Sequence, residues 1–208
     1  MSVGIIGAGN VGGALGIRLA AKGHKIVFGV PDAADPKYEP LKKIAGATFI
    51  KPSEAAQRAD VVMLTTPWQA AEQVIKDCGP LAGKIVVDCT NPIKADFSGL
   101  EFGHTTSAAE KIAGWAHGAK VVKCFNQTGF NNMAEPDYRG QKSVIFAAGD
   151  DADAVKTVAS LARDVGFDAV ALKGLVMARQ LEQLAWLWID MAVKQGYGRD
   201  FAFAMLRR

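Results

Sequence analysis

Gly7, Gly9 and Gly12 stand at the spacing of a turn against which a diphosphate can lie. The apolar run Val3 to Ile6 before them suits a buried parallel strand, and Asn10 to Lys22 after them has helical spacing. In such a turn Gly7 permits the tight bend and Gly9 lets the backbone approach a pyrophosphate. Gly12 lets the helix pack closely on the strand. The helix start adds unpaired N–H groups and a partial positive charge, which suit a doubly negative ligand. The competing reading is a glycine-rich structural turn. The strand before, the helix after and a second strand at Lys25 to Val30 all favour nucleotide binding.

In an open α/β sheet, ligands lie beyond the carboxyl ends of the strands. Those ends here carry Gly7 to Gly12, Val30 to Asp32, Thr65 to Trp68, Cys89 to Pro92 and Phe125 to Gly129. Hydroxyls and amides recur among them, while acids and histidines are scarce. No Ser/His/Asp set, carboxylate pair or metal cluster is legible. Hydride passing between two bound flat rings needs proximity and orientation and no protein acid or base, so no catalytic side chain is assigned. Asp32 lies 20 residues beyond Gly12, where a dinucleotide fold often places an acid on the adenosine ribose. It reads equally well as the residue that turns the loop after Pro31. Lys37, Lys42 and Lys43 follow and could attract a phosphate.

Strand and helix signals alternate, which predicts an α/β fold with a parallel sheet. Strands are expected at Ala47 to Ile50, Val61 to Leu64, Lys84 to Asp88, Lys120 to Phe125, Ser143 to Ala148 and Asp168 to Leu172. Helices are expected from Pro52, with Ser53 as a candidate cap, and over Gln69 to Cys78, Ser107 to Gly114, Ala152 to Val165 and Leu175 to Val193. A short helix is expected at Arg199 to Leu206, and loops at Pro31 to Pro40 and at 93–104. Residues 1–172 form the sheet domain in this reading and 173–208 a helical lobe.

The remaining candidates read as structural. His24 faces away from the ligand end, and His104 decorates a loop. Trp186 and Trp188 fall at helical spacing among leucines, as core or subunit interface. The chain of 208 residues is half hydrophobic and 22% charged with net charge +3, an ordinary globular balance. No basic stripe with interleaved aromatics points to nucleic acid. Cys78, Cys89 and Cys124 have no zinc or C-x-x-C spacing and read as reduced thiols, with Cys124 inert on its strand. The apolar start lacks a basic leader region, and no run approaches the ~20 apolar residues that span a bilayer. A soluble cytoplasmic protein is expected.

Several segments together resemble one family, the coenzyme F-420 (deazaflavin)-dependent NADP oxidoreductases, whose relatives include the oxidoreductase domain of six-transmembrane metalloreductases. They are Gly7 to Gly12, Leu64 to Trp68, Val87 to Pro92, Thr106 to Glu110, Val121 to Asn126 and the closing block Gly174 to Arg208 with Ala178 to Glu182. The resemblance implies a Rossmann-type doubly wound, mostly parallel sheet with a small C-terminal helical lobe through which subunits dimerise. It implies NADP or NAD at the glycine turn and a second redox ring, a deazaflavin, FMN or FAD, between sheet domain and lobe. Carried over by position, Gly7, Ala8, Gly9, Asn10, Val11 and Gly12 form the pyrophosphate turn. Thr65, Thr66, Pro67 and Trp68 line the middle of the cofactor, and Asn91, Pro92 and Asn126 approach its nicotinamide end. Two positions depart from the family. Its usual Gly-Ser-Arg after the second strand is Gly29-Val30-Pro31 here, and Asn126 stands where deazaflavin enzymes tend to carry histidine.

The expected activity is hydride transfer between NAD(P)H and a flavin-like acceptor. One alternative is a β-hydroxyacid- or imine-type dehydrogenase, which wants a positioned lysine such as Lys94, Lys123 or Lys173. Another is a non-catalytic NAD(P)-binding redox sensor.

Overall fold

A computed structural model describes all 208 residues. In chain order the elements are β1 (Ser2–Ile6), α1 (Asn10–Ala21), β2 (Lys25–Gly29), α2 (Glu39–Lys42), β3 (Thr48–Ile50), α3 (Pro52–Arg58), β4 (Val61–Leu64) and α4 (Ala71–Asp77). They continue with β5 (Ile85–Asp88), α5 (Ala108–Trp115), β6 (Lys120–Lys123), α6 (Phe130–Ala134), β7 (Asp137–Tyr138), β8 (Gln141–Lys142), β9 (Val144–Gly149), α7 (Ala152–Val165), β10 (Asp168–Lys173) and α8 (Ala178–Val193). Eight strands form one sheet in the order β10-β9-β6-β5-β4-β1-β2-β3, and β7 and β8 make a separate hairpin. The expected doubly wound, mostly parallel α/β architecture is present, with the helical segment at the C-terminal end of the chain.

The strand residues alternate between two cores. Val3 and Ile5 of β1 and Val61 and Met63 of β4 face a core shared with Leu15, Leu19, Leu161 and Val165 of α1 and α7. Ile6, Val62 and Leu64 face the other, with Ala55, Ile75 and Ile112 of α3, α4 and α5. A strand apolar on both faces is what a sheet covered on both sides requires. No helix is long and apolar enough to cross a membrane.

The expected mostly parallel sheet has one antiparallel junction, where β9 pairs with β6. Residues 124–143 contain only the short α6 and the β7–β8 hairpin, so the chain turns back beside β6 without a long crossover helix. Two expectations need correction. Ser53 does not cap α3; Pro52 takes the first helical position, where its missing N–H costs nothing, and Lys51 is the cap. Residues 199–206 contain no helix. The segment is irregular and lies on the fold, with Val144 N–H donating to Phe203 O at 2.9 Å and Trp188 stacked on Phe201. The loop expected over Pro31 to Pro40 also contains a 3-10 turn, Pro36–Tyr38, and runs into α2.

Candidate nucleotide-binding groove

The turn between β1 and α1 is built as its glycines require. Gly7 sits at φ +103°, a region open to glycine at little cost. A β-carbon on Gly12 would lie 2.0 Å from the Gly7 carbonyl oxygen, whereas one on Gly9 would meet nothing within 4 Å. Gly12 therefore serves packing, and Gly9 leaves open space in front of the backbone. Gly9 is also the N-cap of α1, with no side-chain cap and no acid in the first turn. The N-terminus of a twelve-residue helix is thus left without a protein anion.

A cavity of about 350 Å³ opens along the carboxyl ends of β1, β4 and β5. Its lining includes Gly9, Asn10, Val11, Thr65, Thr66, Pro67, Trp68 and Asn91, all expected there, together with Cys89, Thr90 and Ile93. It contains no carboxylate, histidine, lysine or arginine. The Thr66 and Thr90 hydroxyls are buried without a hydrogen-bond partner. Unpaired buried hydroxyls are costly, so two of them beside a bare helix N-terminus fit a polar ligand. An adjoining hollow of about 400 Å³ shares Pro67, Trp68, Asn91 and Ile93 and adds Lys94 and Phe97. On the other side of the turn, Ala8, Gly9 and Asn10 join Lys37, Tyr38 and Phe130 around about 510 Å³.

Trp68 is held from behind. Its indole N–H donates to Glu101 Oε2 at 2.9 Å, and its ring stacks on Trp115 with centroids 5.5 Å apart. Asn91 and Asn126 form a reciprocal pair. Asn126 Nδ2 donates to Asn91 Oδ1 at 3.0 Å, and Asn91 Nδ2 donates to the Asn126 carbonyl at 2.9 Å. Asn126 is buried behind Asn91, with Gln127 Nε2 on its own oxygen. The residue before it, Phe125, is buried at φ +63°, in the left-handed region. Pro92 is buried and absent from the lining. Asp32 accepts from Ala34 N–H at 2.9 Å and so turns its own loop, its second carboxylate oxygen remaining available.

Beneath the groove lies a charge cluster that the sequence reading did not assemble. Lys123 Nζ stands 2.8 Å from Asp88 Oδ2 and 2.9 Å from Glu182 Oε1, and all three side chains are fully buried. Burial works to lower the Lys123 pKa, yet Asp88 and Glu182 outweigh it and the net shift is upward. Burial raises the Glu182 carboxyl, Lys123 opposing and Asp88 adding to the rise. Lys123 cannot reach a ligand, and Lys173 is exposed at the end of β10. Lys94, at the outer hollow, is the one lysine of the three beside the groove.

The other structural readings hold. His24 Nε2 lies 3.0 Å from Asp164 Oδ2, and Trp188 is buried. All three cysteines are free and buried. Burial pushes the Cys78 thiol up to about 12 and raises Cys89 and Cys124 well above the ordinary range, so none is a ready thiolate.

Residues 2–92 match the family described as NADP oxidoreductase coenzyme F420-dependent. The chain is 29% identical to the F420-dependent NADP reductase of Methanothermobacter marburgensis, across 90% of each chain. It is also 29% identical to Metalloreductase STEAP3 of Rattus norvegicus across 88% of this chain, spanning only 36% of that longer protein. A crystal structure from Arthrobacter sp. FB24, provisionally described as an F420-dependent NADP-reductase, superposes with a TM-score of 0.87 at 27% identity, covering 99% of both chains. A reductive aminase from Aspergillus terreus shares the fold at 20% identity, with a TM-score of 0.69 over 94% of this chain and 62% of that one. The chain is thus similar to the coenzyme F420-dependent NADP oxidoreductases over residues 2–92 by the family match, and over nearly its whole length by the reductase sequence and the crystal structure.

Proposed function

We propose that the protein is a reductase in which hydride passes directly between the nicotinamide of NADP(H) or NAD(H) and a flavin-like ring, a deazaflavin first and FMN or FAD otherwise. The carrying observation is the composition of the groove: a bare helix N-terminus, two unpaired hydroxyls and an oriented tryptophan, with no acid or base among the lining residues. The nucleotide would supply the hydride. The chain's part is binding and alignment, with ring contact replacing proton transfer.

In this reading the backbone at Gly9 to Val11 holds the pyrophosphate, Thr65 to Trp68 line the middle, and Asn91 faces the nicotinamide end. Buried Asn126 and Pro92 support Asn91 from behind. Thr65 Oγ lies 2.7 Å from the Gly7 carbonyl, fixing the turn against β4. Trp68, braced on Trp115, offers a flat wall that excludes water from its side of the groove. The dehydrogenase alternative loses one of its three lysines, since Lys123 is locked in a buried cluster. A binding-only sensor would use the same turn without turnover.

The deazaflavin choice leans on the named reductase of Methanothermobacter marburgensis, which matches over nearly the whole chain. The test is anaerobic oxidation of NADPH and NADH, followed optically, against deazaflavin, FMN and FAD in turn. Fast oxidation with one acceptor supports the reading and identifies the nucleotide. Tight nucleotide binding with no oxidation by any of them supports the sensor and sinks the reductase.

A further inference from the structure

The buried cluster does more than neutralise itself. Lys123 Nζ donates to Asp88 Oδ2 and, at 2.6 Å, to the carbonyl oxygen of Thr90, and it is ion-paired with Glu182 Oε1 at 2.9 Å. The other Asp88 oxygen accepts the Thr90 N–H at 2.8 Å. Both backbone groups of Thr90 are therefore held by the cluster, and the next residue is Asn91. Glu182, on α8, also accepts the Ala108 N–H at the start of α5, at 2.9 Å and 3.1 Å. Its neighbour Leu181 accepts Asn126 Nδ2 at 3.2 Å, and Asn126 is paired with Asn91. Two adjoining residues of α8 thus hold the end of β6 by polar contacts directly, and the end of β5 through Lys123 and Asn126.

Stability does not explain such a cluster. Desolvating three charges offsets most of their attraction, and apolar residues of similar volume often stabilise as well. What directional bonds provide, and apolar packing does not, is a fixed orientation for the peptide groups they hold.

We propose that Glu182 is a positioning residue: acting from α8 through Lys123 and Thr90, it holds the Asn91 amide in the orientation in which it meets the nicotinamide end of the nucleotide. The inference rests on the nucleotide reading of the groove. It makes α8 part of the alignment apparatus, although no α8 side chain lines the cavity along the strand ends.

The test compares Glu182→Leu, which cuts the tie, with Glu182→Gln, whose amide oxygen accepts the same bonds. Thermal melting first establishes the folded fraction. NADPH is then titrated with its nicotinamide fluorescence recorded, and kcat is measured with whichever acceptor the wild type uses. In Glu182→Leu the nucleotide Kd stays within about threefold, because the glycine turn is untouched. Emission of bound NADPH falls to the level seen in Asn91→Ala, and kcat drops about tenfold or more. Glu182→Gln restores both, and Glu182→Leu adds nothing in an Asn91→Ala background.

Wild-type emission and kcat in folded Glu182→Leu would overturn the proposal, as would full additivity with Asn91→Ala. Should Glu182→Leu not fold, the variant Asp88→Asn/Lys123→Met/Glu182→Leu strands no buried charge and carries the same readouts. A wild type that binds NADPH yet reduces no acceptor defeats the reductase reading alone, since the emission needs no acceptor. A wild type that binds no nucleotide defeats both.

Discussion

The Thr65 hydroxyl lies 2.7 Å from the carbonyl oxygen of Gly7 and 3.0 Å from that of Ile6, so one side chain of β4's exit holds the turn that leaves β1. The same turn has an inner and an outer glycine. Gly12 faces the Gly7 carbonyl and the Thr65 hydroxyl, and Gly9 faces open space. Two substitutions should therefore fail differently. Gly9→Leu is expected to melt like the wild type and lose nucleotide affinity by about a hundredfold, equivalent to roughly 2.7 kcal/mol. Gly12→Leu should not hold the native turn, and its melting temperature should fall sharply. Isothermal titration and thermal melting on both variants separate the roles; unchanged affinity in folded Gly9→Leu would move the nucleotide elsewhere.

Asp32 separates charge from turn chemistry. Its Oδ1 accepts the Ala34 N–H, a bond that asparagine retains. In the nucleotide reading, its negative charge near the ribose discriminates against a 2′-phosphate. Asp32→Asn should then shift the ratio of kcat/KM for NADPH over NADH upward by about fivefold, the order of 1 kcal/mol for charges a few ångströms apart in water. An Asp32→Arg variant should shift it further by adding a forked donor. A ratio that moves in neither variant would leave Asp32 as a loop residue only.

Glu110 and Arg179 tie α5 to α8 through two bonds, at 2.9 Å and 2.6 Å, and Ser107, the cap of α5, donates its hydroxyl to the same carboxylate at 2.7 Å. The Arg179 guanidinium holds the Glu110 carboxyl below its ordinary value of 4.5, burial opposing and Ser107 assisting. A depressed carboxyl stabilises the fold above its unfolded pKa, and that contribution is lost as pH falls through the folded value. Glu110→Gln should accordingly cost about 1 kcal/mol at pH 7, with the difference shrinking below roughly pH 4. Urea titrations of both proteins across that range check it. A deficit that persists at low pH would assign the loss to packing.

Much of this arrangement was legible because it is local. The glycine turn and the strand ends each depend on neighbouring positions in sequence. The Lys123–Glu182 contact joins residues 59 apart and left only a faint trace. That trace is the pairing of Asp88 with Lys123: two apolar strands side by side in register each end in a charge of opposite sign. A charge at the end of a strand buried on both faces needs a partner on the next strand. The reversal at β9 was illegible for a different reason, since strand direction depends on connection length and not on the apolar pattern within the strand.

The tail shows how spacing can mislead. Phe201, Phe203 and Met205 recur at every second residue, the period of extended chain, although their apolar density invited a helical reading. In the structure Phe201 stacks on Trp188 with ring centroids 5.2 Å apart, and its carbonyl accepts the Trp188 indole N–H at 3.0 Å. The same carbonyl accepts Asn132 Nδ2 at 2.8 Å, so one backbone oxygen joins α8 to α6. Phe201→Ala keeps that oxygen and removes the stacked ring. It should cost about 2 kcal/mol of stability and shift tryptophan emission to the red as water reaches Trp188. Emission and melting both unchanged would mean that the tail does not cover Trp188 in solution, and that α8 reaches its folded position without it.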